Sequence, residues 1–132
     1  MKTTSFSSNP NGKLIANNFS TMRAFNVEKY FAGAEHVINY KGQVLGTAKV
    51  YGALEVDINN IPEVFAWLDA GMDLNRYTKV LKTMYPNATK LHYVAYHWVA
   101  KDIEAHANLI NAYWQSVLQD AVEATNYQFL AQ

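Results

Sequence analysis

The sequence predicts an α+β fold, and three patterns support this prediction. Stretches rich in β-branched and aromatic residues occupy 36–58 and recur at 91–99, as is typical of strands. Two segments between them have the 3-4 apolar spacing and the capping residues of amphipathic helices. From residue 101 onward, one long 3-4 stripe continues without Gly or Pro. The 132 residues are 50% apolar and 17% charged, which indicates one folded domain.

The N-terminal part of the chain gives weak local signals. Residues 1–12 are rich in Ser, Thr, Asn, Pro and Gly, so we expect a flexible lead-in. Residues 13–18 can begin a short strand or helix, and residues 19–23 fit a strand or a loop. Residues 26–30 have the composition of a short helical turn.

The next segment predicts strands joined by tight turns. We expect one strand at 36–40, a turn at Lys41-Gly42 and a return strand at 44–50. A further strand is expected at 53–58, with Gly52 as a bulge or bend before it.

Two helices and a closing strand follow. Asn59 or Asn60 is a suitable cap for the first helix, because Pro62 then falls in its first turn, and Gly71 is a natural stop. Asp73 can cap the second helix, which spans about 74–84 and ends before a proline. The apolar run at 91–99 is long enough for a central strand.

The tail is the clearest helix of the sequence. Apolar residues recur at helical spacing from residue 101 to about 127, which gives a helix near 40 Å long at ~1.5 Å per residue. Large residues on it are candidates for an interface with a second copy or a host protein: Ile110, Tyr113, Trp114, Val117 and Leu118. Packing of the same stripe on its own domain is the open alternative.

The composition of the chain excludes several kinds of site and segment. The chain has no cysteine, which excludes disulfides and thiolate sites and suits a reducing cytoplasm. No stretch approaches the roughly 20 apolar residues of a membrane span, and the polar start does not resemble a secretory signal. Residues 1–100 carry a net charge of +3 and residues 101–132 a net charge of −3. This asymmetry is either chance or an acidic tail that covers an anion-binding face.

Several segments in order resemble ASCH domains, the small β-barrels of the PUA-like group that include bacterial acetylcytidine amidohydrolases and small phage and bacterial proteins. The matching pieces are Thr21-Met22-Arg23, the helix–Gly–helix around Gly71, and the segment 79–86 that ends in Tyr85-Pro86 before the last strand. The resemblance covers about residues 13–100. It implies a PUA-like barrel with two helices before the last strand, to which the tail helix is appended.

The resemblance also implies a cleft beside the Thr-x-Arg segment that takes RNA, a nucleotide or a modified nucleoside. Its implied ligand-binding residues are Lys13, Asn18, Ser20, Thr21, Arg23 and Arg76. Arg23 is either a clamp for phosphate or a salt-bridge partner of Glu28 or Glu55, and Thr21 either binds ligand or is an ordinary strand residue.

The catalytic pattern of the amidohydrolases is incomplete in this sequence. Asn18 stands where the pattern has Lys, and Ala70 stands where it has Glu, with Asp69 one position away. Since Asn18 cannot exchange a proton at neutral pH, hydrolysis lacks its acid–base group, and Thr21 is the one catalytic candidate left. Lys13 lies upstream and requires a different loop to reach the site.

We therefore expect a non-catalytic binding domain without a cofactor. The alternatives are a phage-type inhibitor, similar to anti-restriction or anti-CRISPR proteins, that acts through its acidic tail, and a residual amidohydrolase. No metal site is predicted, because His92 and His97 face opposite sides of one strand. The aromatic residues Tyr93, Tyr96 and Trp98 serve either as core or as a platform for stacked bases.

Overall fold

The computed structural model describes the backbone of residues 1–131 and the side chains of residues 1–125. The strands are β1 (Lys2–Phe6), β2 (Asn18–Ala24), β3 (Glu35–Tyr40), β4 (Gln43–Asp57) and β5 (Lys90–Lys101). The helices are α1 (Glu63–Ala70), α2 (Leu74–Met84) and α3 (Ile103–Ala131), and a 3-10 helix spans Pro10–Ile15. No helix in the described part of the chain has the length and apolar character needed to cross a membrane.

The five strands form one curled sheet in the order β1-β3-β4-β5-β2. β1 pairs with β3 in parallel, and the other three pairings are antiparallel. Side chains link the two edge strands across the open side: the guanidinium of Arg23 donates to the carbonyl of Ser5 at 2.8 Å, and the rings of Phe6 and Phe19 meet edge to face. The sheet is therefore a half-barrel, which confirms the predicted α+β class and its barrel-like character.

The N-terminal segment differs from the prediction of a flexible lead-in. Residues 2–6 form β1, which pairs with residues 36–40 of β3, and the 3-10 helix begins at Pro10. Thr4 and Phe6 are buried, and the Thr4 hydroxyl lies 2.9 Å from the hydroxyl of Tyr96. The sequence did not predict this strand because its composition is polar. Thr4 nevertheless belongs to the core, since its hydrogen bonds are satisfied inside the barrel.

The remaining elements lie close to their predicted positions. The strands expected at 44–50 and 53–58 are one continuous strand, β4, whose pairing shifts between Val50 and Gly52, as expected for a bend there. α1 ends at Gly71, which has a left-handed φ of 63°. The side chain of Asp73 caps α2 by accepting from the amide of Arg76 at 3.0 Å. α1 begins directly after Pro62 without the side-chain cap expected from Asn59 or Asn60.

Two apolar clusters hold these elements together. The first fills the curl of the sheet and includes Leu14, Ile38, Tyr96 and, from the start of α3, Leu109. The second lies between the sheet and the helices α1 and α2 and includes Leu81. The candidate site described below lies where the sheet edges and these two helices meet.

A candidate ligand-binding cleft between the sheet edges

A cavity of about 290 Å³ opens between the edge strands β1 and β2, with α1 and α2 along one side. Its lining comes from elements that are far apart in the sequence. The polar side chains with assigned hydrogen bonds are those of Lys13, Thr21, Arg23, Asp69 and Tyr77, and apolar wall residues include Met72, Val80, Leu81 and Met84. The cavity therefore combines charged groups with an apolar surface, as ligand sites usually do.

A buried ion pair forms one part of this lining. The Nζ atom of Lys13 lies 2.5 Å from Oδ1 of Asp69, and the two side chains are 7% and 12% exposed. The same ammonium donates to the carbonyl of Ser20 at 2.8 Å. Because an ammonium has three N–H groups and the residues described here accept two, one donor is left at the cavity.

Asp69 is held by more than Lys13. Its Oδ2 accepts a hydrogen bond from the hydroxyl of Tyr77 and another, at 3.2 Å, from the amide of Met22. Burial and the neighbouring negative charge of Asp69 raise the pKa of the Tyr77 phenol, which keeps it a donor. Burial lowers the pKa of the Lys13 ammonium, against the opposing attraction of Asp69. The carboxylate thus joins β2, α1, α2 and the 3-10 helix.

The backbone of the 3-10 helix explains how Lys13 reaches the cavity. Asn11 and Gly12 both have left-handed conformations, with φ of 57° and 65°, which kink the helix. Asn and Gly are the residues that tolerate this conformation best. The side chain of Asn9 accepts from the amide of Leu14 at 2.8 Å and holds the turn. Lys13 can then point to Asp69 while Leu14 enters the core.

Arg23 presents a fixed positive charge on the cavity wall. Its Nε donates to the hydroxyl of Thr21 at 3.1 Å, and its guanidinium carbon lies 4.4 Å from the centroid of the Phe6 ring. Of the two alternatives for Arg23, the salt bridge to Glu28 or Glu55 is not present: Glu55 pairs with Lys90, and no carboxylate within residues 1–125 pairs with Arg23. The charge of Arg23 is therefore not neutralised by the side chains that the structure describes.

The structure brings together three of the six predicted ligand-binding residues. Lys13, Thr21 and Arg23 line the cavity. Ser20 is buried and its hydroxyl bonds to that of Tyr93, so it faces away from the cavity. Asn18 lies in a separate shallow depression, bonded to His97 at 2.7 Å, and Arg76 is exposed on α2 outside the cavity lining. A ligand-binding role remains a prediction for all six residues.

Sequence reasoning underrated two residues of this site, Asp69 and Tyr77. The alignment gives Asp69 only as the neighbour of Ala70, and Tyr77 lies within the predicted second helix without being singled out. Asp69 follows the fully buried Ala66 by three residues, so the helical period places it on the buried face of α1. A carboxylate at a position that the helical period places on the buried face is the signal that could have identified this site from the sequence.

The positions of the histidines and aromatic residues of β5 indicate structural roles rather than a shared binding site. His92 is buried and stacks on Phe25, whereas His97 is exposed. Among the described residues, no three His, Asp or Glu side chains are grouped so that they could hold a metal ion. Tyr93, Tyr96 and Trp98 are all buried, which confirms the interpretation of these rings as core residues rather than a stacking platform.

Comparisons with known proteins bear on the fold alone. A scan against models of protein families and a search of curated proteins find no match. Among solved structures, the chain is similar to the crystal structure of protein EF3133 from Enterococcus faecalis V583, described as DUF984. The TM-score is 0.53 at 12% sequence identity, with 78% of this chain and 84% of that chain covered. At this identity the likeness supports the α+β barrel-like fold and gives no function.

Proposed function

We propose that the cleft binds a nucleotide-like ligand, which is a nucleotide, a modified nucleoside or one unpaired RNA residue. The observation that carries this proposal is the guanidinium of Arg23, which is fixed on the cavity wall without a carboxylate partner within residues 1–125. A guanidinium binds phosphate oxygens in pairs and stacks on bases. A cavity of about 290 Å³ is close to the lower limit of ordinary ligand sites, roughly 300 Å³, and suits one such unit.

The other lining groups support the same class of ligand. Lys13 and Asp69 neutralise each other, so Arg23 sets the charge of the cavity and favours an anionic ligand over a cationic one. The spare N–H of Lys13 is suited to a carbonyl or ring nitrogen of a base. The apolar wall around Val80 and Met84 offers a surface for the flat face of that base.

The resemblance to ASCH domains adds to this proposal. It implies a cleft for RNA or a nucleoside beside the Thr-x-Arg segment, and Thr21 and Arg23 are the residues that carry the match. The chain would then be an ASCH-like binding domain in which the ion pair of Lys13 and Asp69 shapes the base of the cleft.

Calorimetric titration with nucleosides, their 5′-monophosphates and short single-stranded RNA tests the proposal. Arg23→Met removes the charge but keeps most of the volume. A hydrogen bond to a charged group contributes about 1.5–3 kcal/mol, so phosphate-bearing ligands should bind roughly tenfold or more weakly to this variant. Arg76→Met is the matched control, because Arg76 lies outside the cavity lining. Equal affinity of wild type and Arg23→Met, or equal losses in both variants, would remove Arg23 from the site.

A second candidate, hydrolysis of an acetylated nucleoside, is favoured by one observation. Lys13 and Asp69 line the same cavity as Thr21, so a lysine and an acid from positions other than those of the alignment lie beside the aligned threonine. The ion pair with Asp69 would have to weaken before the amine of Lys13 could accept a proton from water. Incubation with N4-acetylcytidine and chromatographic detection of cytidine separates the two functions. Binding without turnover supports a binding domain, and turnover that Lys13→Met abolishes supports the hydrolase.

A further inference from the structure

Among the side chains that the structure describes, up to residue 125, α3 contacts the rest of the molecule through one face of its first half. Ala105, His106 and Leu109 are buried and Tyr113 is half-buried, with its ring against the 3-10 helix at Gly12. From residue 114 to residue 125 every side chain is exposed. Since the helix has 29 residues, it is roughly 43 Å long and its second half extends beyond the half-barrel.

A second face of α3 carries a regular apolar stripe, here named the α3 seam. Its members are all exposed and alternate in steps of four and three residues: Ile103, Ala107, Ile110, Trp114, Val117, Ala121 and Ala124. At about 100° per residue, the seam lies roughly a third of a turn away from the face that contacts the half-barrel. The protein's own sheet therefore leaves the seam uncovered.

We propose that the α3 seam pairs with the α3 seam of a second copy, in antiparallel orientation. A 4-3 spacing sustained over three or more heptads is typical of a coiled coil, and this seam holds the spacing from Ile103 to Ala124 without a charged residue. Such a pattern packs against another helix of the same period. The proposal stands on α3 alone and does not depend on the function of the cleft.

Side-chain sizes along the seam favour the antiparallel orientation. In a parallel pair each residue faces its own equivalent, so Trp114 would meet Trp114 while Ala107 would meet Ala107 and leave a gap. In an antiparallel pair with Ile110 opposite Trp114 of the second copy, Ile103 faces Ala121 and Ala107 faces Val117. Two of these three pairs then combine a large residue with a small one, and Trp114 meets Ile110 instead of a second Trp114, which fills the interface more evenly than the parallel pair.

The charges on α3 argue against nucleic acid and an anionic membrane as occupants of the seam. Glu104, Asp120 and Glu123 lie on this helix, and no Lys or Arg follows Lys101. An acidic helix repels the phosphates of nucleic acid and the surface of anionic membranes. The antiparallel pair also places the free half of each helix beside the half of its partner that carries the half-barrel, so both free halves gain cover.

Sedimentation equilibrium of the full chain tests the pairing. We expect a concentration-dependent dimer, and Trp114→Lys should raise its dissociation constant at least tenfold because it places a charge in the seam. Gln115→Lys is the matched control, since it adds the same charge beside the seam and should leave the dimer intact. Circular dichroism verifies that both variants remain folded. A wild-type monomer at all concentrations, or equal dissociation by both variants, would overturn the proposal.

The absence of cysteine from the chain allows a direct test of orientation. Ile103→Cys and Ala121→Cys are prepared separately and oxidised alone and as a mixture. The antiparallel pair predicts cross-linked dimers in the mixture and little cross-linking of Ile103→Cys alone. Efficient cross-linking of Ile103→Cys by itself would mean a parallel pair and would overturn the proposed orientation.

Discussion

The cleft and the free half of α3 are built in opposite ways. The cleft joins Lys13 to Asp69, which are 56 positions apart in the sequence, and it buries their charges. The seam of α3 comes from one continuous segment and leaves apolar side chains such as Trp114 and Val117 exposed. The cleft can form only when the whole domain folds, whereas α3 is defined by local periodicity.

This difference predicts that the two regions affect different properties: the cleft affects the stability of the fold, and the free half of α3 affects self-association. In the cleft, Lys13 and Tyr77 are buried and both bond to the carboxylate of Asp69, so a substitution in this group strands a partner away from water and destabilises the fold. On the free half of α3, a substitution removes little from the isolated chain, because the side chain is already in water. Substitutions in the two regions should therefore have different readouts: unfolding for the cleft and self-association for α3.

The largest effect is expected for Asp69→Ala. It leaves the ammonium of Lys13 buried without its counter-ion and removes the acceptor of the Tyr77 hydroxyl and the Met22 amide. Loss of one partner of a buried ion pair costs about 3–5 kcal/mol. Unfolding in urea, followed by circular dichroism, measures this loss of unfolding free energy.

Two variants control this measurement. Lys13→Met should cost less than Asp69→Ala, because Asp69 keeps two donors. The double variant Lys13→Met/Asp69→Leu should be more stable than Asp69→Ala alone, since no buried charge is then left unpaired. If Asp69→Ala cost under about 1 kcal/mol, the pair would behave like a solvated surface ion pair, and its burial would carry no stability.

The next largest effect contrasts the two halves of α3. Leu109→Ala removes a buried side chain from the barrel cluster and should cost at least about 2 kcal/mol. Leu118→Ala changes a side chain that is 62% exposed and should alter the stability of the monomer by less than about 0.5 kcal/mol. Thermal unfolding at low protein concentration measures both values. Equal costs would mean that the free half of α3 packs on the domain.

The sequence predicted well those elements that depend on local signals. The stop at Gly71, the cap at Asp73 and the strands of the β3–β4 hairpin follow from turn and capping chemistry within a few residues. The long helix α3 follows from its uninterrupted apolar spacing. None of these features requires knowledge of distant contacts.

The cleft was harder to predict, because its geometry is set by distant contacts. β1 exists through parallel pairing with β3, 34 positions away (Lys2 with His36), and its polar sequence gives no strand signal of its own. Lys13 enters the cavity only because Asn11 and Gly12 adopt left-handed conformations, which spacing from the Thr-x-Arg segment cannot show. A motif alignment thus placed Asn18 in the site, whereas folding brings Lys13 there.

A smaller effect is expected for Tyr77→Phe, which tests how firmly the cleft depends on its hydrogen bonds. The variant removes one donor to Asp69 while Lys13 and the Met22 amide remain, so the cost should be about 1.5 kcal/mol. Tyr85→Phe is the matched control: Tyr85 also lines the cavity, and its hydroxyl has no hydrogen bond to the side chains described. Urea unfolding that gives equal values for both variants would contradict a contribution from the Tyr77 hydroxyl.

The smallest effect is a loss of stability on mild acidification. Burial lowers the pKa of three histidines: His36 on β3, His92 on β5 and His106 near the start of α3. The unfolded chain, with His pKa values of about 6.5, then binds more protons than the folded one. The unfolding free energy should therefore be constant above about pH 7.5 and fall as the pH drops below about 6.5.

Substitution of single histidines shows which of them causes this pH dependence. His36 donates from Nε2 to the carbonyl of Lys29 at 3.0 Å and accepts at Nδ1 from the Tyr96 hydroxyl at 2.7 Å, so protonation breaks an existing bond. His36→Gln should flatten the pH profile in the acid range, and His106→Gln should flatten it by a similar or smaller amount. A profile that stays as steep in both variants would mean that acid acts through His92 or through carboxylates instead. A larger flattening by His106→Gln than by His36→Gln would mean that the burial of His106 near the start of α3 causes most of the acid sensitivity.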